Sequence, residues 1–221
     1  MRSLFVSVPV LLIWLDAFDL DLTTNFSKTK RQLLRKGPNL LWHLQNGVLE
    51  PLNPKVWFIL IGSNDLFESR CTDRFVFANI LNVLQELHMH RPDAQFIIHG
   101  ILPRKDQKKN TTQYLGEYWR MSQQVNAMLK KFCKNYDNLH YMQGGKSFMK
   151  DNDKQRGRQQ LDANLMADGV HPTRHGLVNW GKLIVAKLNQ TLIYAEEQAA
   201  EKAKQEAKRN KRKWFRNHVG S

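Results

Sequence analysis

Two cysteines, seven prolines and twelve glycines are all that this 221-residue chain holds of the residue types that staple or break a backbone. Cys71 and Cys133 cannot build a disulfide framework. They either pair once or stay two thiols, and spacing does not choose between these readings. The eight histidines are scattered, with no H-E-x-x-H and no C-x-x-C, so no clustered metal-ligand pattern is present and no metal is expected. Long apolar runs are missing too: the N-terminal stretch 4–15 falls short of the roughly 20 apolar residues of a membrane-spanning helix. Acidic residues are in deficit, 20 against 34 Lys and Arg, for a formal charge of +14. That balance permits contact with phosphate-rich partners or anionic membrane surfaces but says nothing of fold.

What remains is ordinary globular material, 42% hydrophobic and 24% charged, enough for one sizeable core. The front end has two readings. Met1-Arg2 followed by the apolar stretch has the length of a signal peptide, although Asp16-Ala17-Phe18 replaces the small residues expected at a cleavage site. The same Val-, Leu- and Ile-rich stretch reads equally as a buried strand. N-x-[ST] triplets at Asn25, Asn110 and Asn189 are compatible with a secretory route, with the cytoplasm as the other compartment.

Further on, periodicity takes over. Residues 39–46 read as a short amphipathic helix stopped by Gly47, and 55–61 (K-V-W-F-I-L-I) as a strand buried on both faces. Apolar positions at helical spacing predict a helix over 73–90, ended by Arg91-Pro92. A second buried strand spans 95–102, a helix 114–135, a short strand 139–142 and a last amphipathic helix 173–194. Strands alternating with helices predict an α/β fold, a parallel sheet with helices on both faces, binding ligands beyond the carboxyl ends of its strands. The tail, 195–221, carries eight Lys and Arg against four Glu, for +4, and five alanines. It reads as a helical or disordered basic extension, with anionic membrane or nucleic acid as the partners its charge would suit. Trp214-Phe215 tilts that choice towards a membrane surface.

Two motifs could do chemistry. In D-G-V-H-P (168–172), an aspartate three residues before a histidine can orient the ring and stabilise its cation. Alone, the motif reads as well as a helix cap and a surface histidine. In G-S-N-D (62–65), Gly62 allows a tight turn and Asn64 can present an amide donor of the kind an oxyanion hole requires. Alone, it is also an Asx-type turn.

Taken in order, a strand ending G-x-N-D, a strand ending G-I-L-P-R and a final D-G-V-H-P resemble the SGNH/GDSL hydrolases. The stretch 40–104, from L-L-W-H-L-Q-N-G through K-V-W-F-I-L-I-G-S-N-D-L to H-G-I-L-P-R, is most similar to platelet-activating-factor acetylhydrolase catalytic-subunit-like esterases. The resemblance covers roughly residues 39–193. It implies a flavodoxin-like three-layer α/β/α sandwich in residues 39–194, in which a regular first strand could be lacking. It also implies His171 as general base, Asp168 as its partner, Asn64 as oxyanion donor and Gly62 as the turn presenting it. The activity implied is hydrolysis of small-molecule esters, lipid or acetyl, through a serine acyl-enzyme with no cofactor. Self-association into a homo-oligomer is compatible with this reading.

One part of the family pattern is absent. An early strand should end G-D-S, and here 10–17 puts Leu15 for the glycine, Asp16 in register and Ala17 for the serine. Ser3, Ser7 and Ser27 lack the strand-to-turn setting of a nucleophile. A glycine should also lie before Asn39. Counting back from Trp42 falls in 33–36, and Gly37 is slightly too close. Residues 1–38 thus form a degenerate segment. Either the serine lies in a front end these residues do not contain, or the chain is a non-catalytic binding or scaffold homologue. Either way, little or no esterase activity is expected of the chain as it stands.

Overall fold

The computed structural model describes residues 10–14, 37–49, 52–67, 69–105, 116–150 and 160–218. Four parallel strands form one sheet in chain order: β1 (Val10–Trp14), β2 (Val56–Leu60), β3 (Gln95–His99) and β4 (Leu139–Met142). The front end therefore holds a regular first strand, contrary to the expectation that one could be lacking. β1 pairs with β2 from Val10–Val56 to Trp14–Leu60. A parallel pair needs no turn between its members, only a covering crossover, which is why a strand so far from the recognisable motifs can still complete the sheet.

Between β1 and β2 lies α1 (Gly37–His43), extended by a π-type turn (Leu44–Val48) that leaves helical geometry at Asn46 and Gly47, where the stop was expected. After β2 come α2 (Ser63–Phe67) and α3 (Asp73–His90). α3 has the predicted bounds because both ends carry local signals: the Thr72 hydroxyl accepts the Phe75 amide at one end, and Arg91-Pro92 stops the other. α4 (Glu117–Cys133) precedes β4, a 3₁₀ turn (Gly145–Phe148) follows it, and α5 (Arg174–His218) closes the chain. α5 does not stop at residue 194. It runs on unbroken to His218 through the basic extension. No described helix is long and apolar enough to cross a membrane.

Strand alternation divides the core in two. Trp57, Ile59, Phe96 and Ile98 point to one face with Leu40, Val76, Ile80, Val83 and Leu87. Val56, Phe58, Leu60 and Ile97 point to the other, packed with Phe148, Met166 and Trp180 of the C-terminal half. Each such large side chain, fully buried, contributes on the order of 2 kcal/mol. The result is the expected α/β/α sandwich, with α1, α3 and α4 over one face and α5 over the other. No disulfide joins Cys71 to Cys133. Burial pushes the Cys133 thiol up to about 11, so it stays protonated in the core.

Candidate active site

Parallel strands point their carboxyl ends one way, so the residues following β2 and β3 share a rim. After β2 the backbone turns sharply at Gly62, whose φ of +106° lies outside the range of ordinary L residues. A Cβ there would also meet Val76 Cγ1 at 2.9 Å, so glycine is required both by the turn and by the core beneath it. The turn starts α2 at once and buries Asn64 to 5% exposure. The neighbouring Asp65, also buried, accepts the Gly37 amide at 3.1 and 3.3 Å. This carboxylate occupies the amino end of α1, where the helix dipole favours negative charge. The Gly37 amide is thereby committed to Asp65. The Ser63 hydroxyl lies 2.8 Å from that of Tyr118.

After β3, the loop carrying Pro103 and Arg104 is fastened on several sides. Asn126 reads the Ile101 backbone in both directions, accepting its N–H at 2.7 Å and donating to its carbonyl at 3.0 Å. The Gly100 amide donates to the Met142 carbonyl, and the Lys105 amide to the Gly169 carbonyl at 2.7 Å. The last bond joins the β3 loop to the segment that carries Asp168 and His171.

That segment is built around one carboxylate. Asp168 Oδ1 accepts the amides of Val170 at 2.8 Å and His171 at 2.6 Å, while Oδ2 accepts from His171 Nδ1 at 2.6 Å. Partial burial pushes the Asp168 carboxyl up. The His171 amide and ring, the Val170 amide and the charge of His171 outweigh that and hold it below its ordinary value. With Nδ1–H donated to Asp168, the neutral ring carries its lone pair on Nε2, where a proton can be accepted. Pro172 is buried next to it, and Thr173 caps α5 by accepting the Gly176 amide at 3.1 Å and donating to the Asn164 carbonyl at 2.6 Å. These bonds tie the loop down while the side chains of His171 and Asp168 stay open, 46% and 54% exposed. A pair so exposed contributes little to stability, and its value lies in orienting the ring.

The sequence-derived residues therefore divide. Asp168 and His171 are bonded as expected, and Gly62 and Asn64 sit where β2 leaves the sheet. Leu15, Asp16 and Ala17 lie outside the described residues, as do Ser3, Ser7, Ser27, Asn25 and Asn110. Asn189 is exposed on α5. Among the described serines, the hydroxyl of Ser122 donates to the Tyr118 carbonyl and that of Ser147 to the Gly144 carbonyl. No group of three or more metal-ligating side chains occurs among the described residues.

Sequence reasoning missed a second histidine. His99, at the end of β3 and 1% exposed, donates from Nδ1 to the Gly100 carbonyl at 2.6 Å and accepts the Trp180 indole N–H on Nε2 at 3.0 Å. Gly144 makes room for the ring: a Cβ there would sit 2.1 Å from His99. Burial lowers the His99 pKa to about 4, against a smaller upward pull from the Gly100 carbonyl. Its signal in the sequence was a lone histidine within an apolar strand, which does not reveal a partner 81 residues away.

The chain is similar in sequence and in fold to known proteins. The chain is 25% identical over 111 residues to platelet-activating factor acetylhydrolase IB subunit alpha1 of Rattus norvegicus, covering 50% of this chain and 44% of the relative. It thus spans under half the length of that relative. Its fold resembles a carbohydrate esterase family 3 protein of Talaromyces cellulolyticus (TM-score 0.53, 16% identity, 70% of this chain and 67% of that one). It also resembles a GDSL-like lipase of Bacteroides thetaiotaomicron (TM-score 0.50, 20% identity, 76% and 72% covered). Residues 16–177 match the GDSL-like Lipase/Acylhydrolase family, a span that begins upstream of Asn39 and ends within α5. The chain belongs to the GDSL-like Lipase/Acylhydrolase family.

Proposed function

We propose that the rim is an ester-hydrolase site of the Ser-His-Asp type for small-molecule esters of the lipid or acetyl class, lacking its nucleophile in this chain. The observation that carries this reading is the 2.6 Å bond between His171 Nδ1 and Asp168, on a loop tied to the rim. In it, His171 is the base, Asp168 fixes its tautomer and Asn64 donates to the oxyanion. The register of β1 supports Ala17 as the nucleophile position, because Trp14 pairs with Leu60 just before Gly62. A methyl group there has no lone pair to attack a carbonyl, so an ester would bind without acyl transfer. The commitment of the Gly37 amide to Asp65 supports the view that it is not the missing oxyanion donor.

A fluorophosphonate probe tests this. The parent chain is expected to stay unlabelled, and Ala17→Ser to take up label that is lost again with His171→Ala. Labelling of a serine in the parent chain would sink the reading. A non-catalytic binding or scaffold role is its near neighbour, favoured by the same absence of a serine.

A further inference from the structure

Among the described residues, Arg104 is a strongly basic side chain that the rim holds in place without giving it an anion. Its guanidinium carbon lies 3.6 Å above the centre of the Phe67 ring, a cation–π contact that fixes the head group. Its Nε is buried with no acceptor, and no described residue forms a hydrogen bond or ion pair with it. A buried, unmatched guanidinium nitrogen is costly, and proteins seldom leave one so without a use.

The location gives the use. Phe67 ends α2, one turn after Asn64 on the same short helix. Its ring meets that of Tyr118 edge-on, and Tyr118 in turn bonds Ser63. The residue after Arg104 donates its amide to Gly169, the neighbour of Asp168. Arg104 therefore stands between the helix of the proposed oxyanion donor and the loop of the proposed base, on a segment that Asn126 clamps at Ile101. A planar fork held this way matches a carboxylate or phosphate through two parallel bonds.

We propose that Arg104 is a specificity-determining residue that receives an oxyanion group, carboxylate or phosphate, borne by the ester ligand. The proposal rests on the rim being an ester-binding site but needs no turnover. It makes negatively charged esters the preferred class over neutral ones, and assigns the positive charge of this loop a defined task.

The test is binding by the full ¹⁵N-labelled chain, titrated with glycerol 3-phosphate and with monomethyl succinate, against glycerol and dimethyl succinate as neutral counterparts. The Arg104 Nε–H resonance, identified by its loss in Arg104→Met, is expected to move with at least one anion and with neither neutral compound. Whichever anion moves it names the group. Arg104→Met should weaken binding about 10- to 100-fold, as for loss of a charge-assisted pair. Arg104→Lys, which keeps the charge and guards against a folding artefact, should fall between, and Lys105→Gln should bind as the parent does. An unmoved resonance, or equal losses in Arg104→Met and Lys105→Gln, would overturn the proposal. Because no step depends on acyl transfer, anion binding can fail while fluorophosphonate labelling of Ala17→Ser succeeds, or the reverse.

Discussion

Two histidines stand at the carboxyl side of the sheet, both hydrogen-bonded, and they serve opposite ends. His99 is enclosed, with a carbonyl on one nitrogen and an indole N–H on the other. Both bonds require the neutral Nδ1–H ring, and burial enforces it. His171 is half open and meets a carboxylate, a partner that stabilises the charged ring as well as orienting the neutral one. A bonded histidine is therefore not by itself a catalytic one. What decides is whether the environment tolerates a proton moving on and off the ring. By that measure His99 braces the fold, while His171 has the carboxylate partner and the open setting that the proposed base requires.

The sharpest way to break this contrast is to truncate each ring. His99→Ala removes the Nε2 acceptor of the Trp180 indole N–H and opens a cavity, for a loss of about 3 kcal/mol or more in urea unfolding. Near-parental stability in that variant would deny His99 its bracing role.

Acid should act on the same residue. A histidine whose folded pKa lies below its unfolded value contributes stability that is complete above 6.5 and drains away as pH falls towards about 4. The loss approaches ~3 kcal/mol across that window. His140, whose pKa is also lowered by burial and by Lys187, adds in the same sense. Asp168 contributes in the same direction but lower on the scale, its share fading only as pH drops below the ordinary carboxylate range. A stability profile flat between pH 6.5 and 4 would contradict the His99 assignment.

Smaller effects sharpen the rim itself. Gly62→Ala forces a side chain into a positive-φ turn and against Val76, an expected cost of about 1–3 kcal/mol seen as a lower unfolding midpoint. His171→Ala should be the mildest, within about 0.5 kcal/mol of the parent, since its ring is exposed and its bond to Asp168 is screened.

How much of this the sequence disclosed depended on how local its causes were. The helix at 73–90 and the strand at 139–142 were legible because capping, proline and apolar spacing act within a few residues. So was the Asp168–His171 pair, whose members are three positions apart. The continuation of α5 to His218 was not: no described residue outside the helix packs on its alanine-rich end, so no apolar stripe marks it, and propensity carries the helix onward. β1 was legible only as one of two readings of an apolar stretch, because the pairing with β2 that makes it a strand joins residues far apart in the chain. The contacts Gly37–Asp65, Arg104–Phe67 and His99–Trp180 join residues 28, 37 and 81 positions apart and arise only when the sheet brings the elements together.

On the proposed reading, the rim keeps base, partner and amide donor but no nucleophile. Hydrolysis of p-nitrophenyl acetate by the purified chain, beside His171→Ala, tests it most directly. Equal rates at background are predicted for both. Turnover by the parent chain that His171→Ala abolishes would contradict it.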